Sequence, residues 1–86
     1  MNLSDFLNAR VVQTGVIEVA SPDTEGTATI PTVDLAKAFI VPGGSSGADF
    51  ANGSFHLDFA DDVTVRATRQ GSASTGKVAY TVIELL

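Results

Sequence analysis

Apolar and polar residues alternate most cleanly in the last third of the chain. In residues 54–59, SFHLDF, the side chains of Phe55, Leu57 and Phe59 share one face, and Ser54, His56 and Asp58 share the other. A period of two marks a half-buried β-strand, because successive side chains leave opposite sides of an extended backbone. Residues 63–69, VTVRATR, repeat it, with Val63, Val65 and Ala67 inward and Thr64, Arg66 and Thr68 outward. The intervening Ala60-Asp61-Asp62 is short and turn-forming, so the two runs predict a hairpin. The closing run, KVAYTVIELL at 77–86, departs from this rule. Val78, Tyr80 and Val82 lie on one face and Ala79, Ile83 and Leu85 on the other, with Leu86 beside them. Each strand of a small sandwich has one buried face. Two apolar faces therefore predict a second cover, which a subunit partner would supply.

Upstream, RVVQTGVIEVA at 10–20 is rich in β-branched residues and predicts one long strand or two short ones, with Gly15 marking a bulge or bend. Ser21-Pro22-Asp23 predicts a turn. GTATI at 26–30 alternates, and Pro31 ends it. Residues 31–37 predict a turn rather than a helix. AFIV at 38–41 is a continuous apolar run, which predicts a strand covered on both faces. PGGSSGADFANG at 42–53 predicts a long surface loop. At the start, LSDFLN at 3–8 predicts a short helical turn capped by Ser4. Being too short to be stable alone, it must pack on something. The expected fold is all-β: a small antiparallel β-sandwich or flattened barrel of about six strands. Residues 1–9 would form an N-terminal arm and 10–86 a single domain.

Composition sharpens the expectation of assembly. Eighty-six residues make one domain, and so small a domain has little core. The chain has no cysteine, so disulfides cannot reinforce it, and a single histidine is left to stand in for thiolate metal ligands. Small domains without such reinforcement gain stability by association. Ten acidic against five basic residues give a net charge of −5, which disfavours a nucleic-acid partner. The first residues lack a basic region followed by an apolar core, so no signal peptide is expected. No run approaches the roughly 18 apolar residues of a membrane span, and no membrane partner is expected.

Candidate chemistry is sparse. Gly43 to Gly47 matches G-x-S-x-G, but that motif needs a strand–turn–helix corner, and GADFANG follows it. His56 has no evident nucleophile or orienting acid beyond Asp58. Asp58, Asp61 and Asp62 surround one turn, and turn formation accounts for them more simply than calcium binding. Arg66 and Arg69 fall on opposite strand faces, which suits a solvated strand edge or an intersubunit ion pair better than an anion site. No enzyme activity, catalytic residue, metal or cofactor is expected. Phe50 among small polar residues has the composition of a ligand loop. Ser45, Ser46, Asp49, Phe50 and His56 are its candidate residues.

VVQTGVIEV, GTATIPTVDLAKAFIV, GGSSG, FHLDFADDVTVRATR and GKVAYTVIELL together resemble a group of small phage virion proteins and tail-associated modules. The elements that carry the resemblance are Val33-Asp34, Lys37-Ala38-Phe39, Val63 through Arg69, and Val78 through Leu85. It covers roughly residues 11–86. It implies a structural role on a virion assembled in the host cytoplasm, either as a capsid decoration (cement) protein or within a tail fibre or tail tip, and commonly as a trimer. The expected partners are itself, as a homotrimer, and the major capsid protein or another virion protein. The tail reading adds a host-surface glycan. Leu3, Phe6, Leu7, Ile83, Leu85 and Leu86 are the expected interface residues.

Overall fold

The computed structural model describes residues 9–47 and 49–85, with Phe50 and Ala51 described by backbone alone. The helical turn expected at 3–8 lies outside the described residues. Six strands follow in order: β1 (Ala9–Val19), β2 (Glu25–Thr29), β3 (Ala38–Ser46), β4 (Phe55–Asp61), β5 (Thr64–Arg69) and β6 (Gly76–Leu85). One helical turn, Phe50–Gly53, separates β3 from β4. The strands form two three-stranded sheets, β1-β6-β3 and β2-β5-β4, and every pairing is antiparallel. The fold is therefore all-β, as the alternation predicts.

The core lies between the sheets. Ile17 and Val19 of β1 and Val78, Tyr80 and Val82 of β6 face Val65 and Ala67 of β5. Phe55, Leu57 and Phe59 of β4 pack against this cluster and stay partly exposed. Ile30 and Val33 complete the core from the segment after β2. Pro31 has no N–H to continue a ladder. The chain instead holds its course through two bonds, from Ile30 N to Val63 O (2.8 Å) and from Val33 N to Asp62 O (2.9 Å). Burying each such valine or isoleucine side chain contributes about 1.5–3 kcal/mol. The inward phase of the hairpin is thus the one its alternation predicts.

Three local expectations are corrected. The bulge in β1 is not at Gly15. The register shifts between Val11, opposite Ile83, and Gln13, opposite Val82, so Val12 is the extra residue. Gly15 pairs regularly with Tyr80, and its missing side chain has another cause. A Cβ there would sit 2.8 Å from Tyr80 Oη. The ring lies across the glycine, and its buried hydroxyl receives a hydrogen bond from Gln13 Nε2 at 2.6 Å. The second correction concerns 38–41. Only Ala38 and Ile40 turn towards the core, while Phe39 and Val41 are 45% and 42% exposed. The third is the loop expected at 42–53. Its first five residues belong to β3, which passes through a register shift between Pro42 and Ser45 and re-forms its ladder at Ser45 and Ser46. Glycine and proline at 42–44 shape a bulged edge strand rather than ending it.

Candidate interaction face

β6 is the centre of its sheet, so its register places the neighbours of every outward side chain. Ile83 stands between Val11 of β1 and Phe39 of β3. Thr81 stands between Thr14 and Val41, and Ala79 faces Val16. Leu85 lies at one end of this strip beside Ala9. Val11, Val16, Phe39, Val41 and Leu85 are each at least 42% exposed, although they are large and apolar. The two threonines at the middle offer their hydroxyls to each other, 3.3 Å apart. Charge lies at the ends: Lys77 Nζ is 3.8 Å from Glu18 Oε2 at one, and the exposed Lys37 stands in register with Leu85 at the other. This outer face is three strands wide and largely apolar, fully so across the Val11–Ile83–Phe39 row and crossed at its middle by Thr14 and Thr81.

Polar groups fasten both ends of the sandwich. Glu84 shares the inward phase of Val82 but lies beyond the core, where it is nearly buried. It accepts hydrogen bonds from Asp34 N (2.7 Å), Arg10 Nε (3.0 Å) and Arg10 Nη2 (2.6 Å). The backbone N–H of Asp34 and then the Arg10 guanidinium hold its carboxyl below the usual range, against an opposing effect of burial. At the other end Arg69 is 4% exposed. It donates to the carbonyl of Asp23 from Nε (3.2 Å) and Nη2 (2.9 Å), and to the carbonyl of Asn52 from Nη1 (3.0 Å). Asn52 Oδ1 in turn accepts from Ala73 N and Ser74 N. Gly76 must be glycine, because a Cβ would collide with Asn52 O. Arg69 was expected at a solvated edge or an intersubunit pair. It is instead a buried clasp between the β1–β2 loop and the helical turn, reached because its odd spacing from Arg66 turns it inward.

The expected site residues separate. Ile83 and Leu85 both lie on the apolar strip; Leu3, Phe6, Leu7 and Leu86 are outside the described residues. Of the proposed ligand loop, Ser45 and Ser46 are strand residues of β3. Asp49 Oδ1 accepts from Asn52 N (3.0 Å) and Asn52 Nδ2 (2.8 Å), so it caps the helical turn. The side chain of Phe50 is outside the description. His56 is exposed on the outer face of the opposite sheet. The five residues therefore do not share one strand, loop or sheet face.

Asp61 Oδ1 accepts from Val63 N (2.9 Å), closing the hairpin turn, and Asp58 pairs with Arg66. Among the described residues no group of three or more histidine, aspartate or glutamate side chains is placed to hold a metal ion. No helix among them is long and apolar enough to cross a membrane. Val11, Val16, Phe39 and Val41 were missed as face residues. The signal was present in Val16-Ile17-Glu18-Val19, whose alternation puts Val16 outward once Ile17 and Val19 are assigned to the core. Comparison with known protein families, curated proteins and solved structures finds no match to this chain.

Proposed function

We propose that this chain is a non-enzymatic structural protein of a phage virion, a homo-oligomeric capsid decoration protein that adheres to other protein surfaces. The observation that carries the self-assembly is the apolar outer face of the β1-β6-β3 sheet. Contiguous exposed apolar surface is costly in water and marks a place that another protein covers. Removing it from water contributes about 25 cal/mol per Å² before the costs of association are subtracted. The other outer face is polar throughout, so a decorated particle would present a wettable surface. Net negative charge opposes nonspecific adsorption to DNA. The virion assignment itself rests on the resemblance of residues 11–86 to small phage virion proteins. The tail-tip reading needs Ser45, Ser46, Asp49, Phe50 and His56 to converge on a glycan, and no observation favours it.

Imaging a purified particle with the protein labelled tests the assignment. Density or label distributed over the shell is the expected result. Label confined to the tail would replace decoration with the tail reading, and an unlabelled particle would remove the virion role.

A further inference from the structure

We infer that the occupant of the apolar strip is a second copy of the same strip, stacked face to face about a two-fold axis running along β6. This deepens the proposed function and rests on its claim that the chain assembles with itself. Size is the first support. The strip is three strands wide and runs from Lys77 to Leu85. At the usual strand spacing and rise this is roughly 14 Å by 27 Å. With side-chain relief, two such strips would bury on the order of 1,000 Å² in total, close to the lower bound of a specific interface. A flat face of these proportions is closed by one like face, which gives pairs rather than the three-fold arrangement implied by the family resemblance.

Charge is the second support. Among the described residues the charges lie at the two ends of the strip, the Glu18–Lys77 pair at one and Lys37, in register with Leu85, at the other. A basic or acidic partner would find no charge at its centre to recognise, whereas a second apolar strip loses little there. The Thr14 and Thr81 hydroxyls already face each other, so covering them leaves a hydrogen bond in place.

Axis direction follows from the same residues. Stacked sheets keep their strands within about 30° of each other. An axis across the strands would lay Glu18 and Lys77 of one copy over Leu85 and Ala9 of the other, stranding charge on apolar surface. An axis along β6 brings like rows together. Ile83 then faces its own counterpart, and Phe39 of one copy lies over Val11 of the other, a large side chain against a small one. Lys77 likewise faces its own counterpart, at a solvated end where each lysine lies beside the Glu18 of its own copy.

The natural absence of cysteine makes the test direct, because one introduced thiol is the only thiol. Leu85 is 45% exposed, so Leu85→Cys leaves the core intact. A bismaleimide spanning about 10 Å, the separation of stacked sheets, is expected to convert Leu85→Cys to a covalent dimer. Thr27→Cys, on the opposite outer face, is expected to stay uncoupled. Light scattering of the full chain at high micromolar concentration should give the mass of two copies. A monomer or trimer overturns the inference, and so does a dimer in which Leu85→Cys fails to couple. A coupled dimer that never labels a particle leaves this inference standing and removes the virion role. A particle-bound monomer does the reverse.

Discussion

The two outer faces of this sandwich are built on the same antiparallel geometry and have opposite characters. On the β2-β5-β4 sheet every register row is polar. Glu25 pairs with Thr68, which pairs with His56; Thr27 pairs with Arg66, which pairs with Asp58; and Thr29 pairs with Thr64, opposite Asp61. On the β1-β6-β3 sheet the rows centred on Ile83 and Ala79 are apolar, and the row between them joins two threonines to Val41. Each sheet has an inner face in the core, with Val65 on one side and Val82 on the other fully enclosed, although the β4 side chains stay partly exposed. Folding alone therefore does not require the second apolar face. The difference teaches that the outward residues of one sheet are suited to a cover that the other described residues do not supply.

The polar face also carries its own stabilisation. Asp58 and Arg66 are direct cross-strand partners, and the guanidinium bonds both carboxylate oxygens, with Arg66 Nε 2.9 Å from Asp58 Oδ1. That hydrogen bonding, more than burial opposes it, holds the Asp58 carboxyl below its ordinary pKa. The apolar strip contains no comparable pair, and its Lys77–Glu18 contact is loose and exposed on both sides.

The comparison breaks most sharply if a charge on either face has the same effect. Leu85→Asp is expected to weaken self-association roughly a hundredfold, because a carboxylate would be desolvated without a partner. Thr27→Asp on the polar face should leave the mass unchanged; light scattering across a dilution series reads both. Phe39→Ala should weaken association by about tenfold while thermal unfolding stays near that of the parent, as expected of a truncated interface aromatic. Acid should act on the ends and the polar face. Asp58 and Glu84 both have lowered folded-state pKa values. Their stabilisation is complete above the unfolded carboxyl pKa of about 4 and is lost as pH falls through the lower folded values. A melting-temperature profile should hold steady from neutral pH to near that point and then drop. Glu84→Gln should flatten part of the drop. The smallest effect is that of Asp58→Asn, roughly a factor of two or three in the folding equilibrium. It should fade in high salt, as measured by urea unfolding.

Alternation made the hairpin and the inner face of β6 legible in the sequence, because period two reports a strand with one wet side. It also exposed Ile83 and Leu85 as surplus apolar residues. It failed at β3, where a short apolar run is compatible with one covered face or two. Residues 42–46 were read as loop because glycine and proline are weak strand formers. Tertiary pairing with Val78 and Lys77 overrode that preference. Val11 was hidden by the bulge at Val12, which inverts the phase of β1 midway. Arg69 was misplaced because a charged residue at an inward position is rare, and nothing local announced the carbonyls of Asp23 and Asn52 waiting there. The candidate site was thus half visible, since a face built from three distant strands is a property of register.

Of the three bulges among the described residues, two fall on the flanking strands of the apolar-faced sheet, at Val12 in β1 and between Pro42 and Ser45 in β3, and the third, between Phe59 and Asp61, on an edge strand of the other. A smooth, straight border would invite another strand to dock by its backbone, and each docked strand would offer a fresh border to the next. Irregular borders stop that chain growth at its first step. A protein that is apolar across its breadth and blunt along its rims resists growing into a fibril by strand addition, even when concentrated.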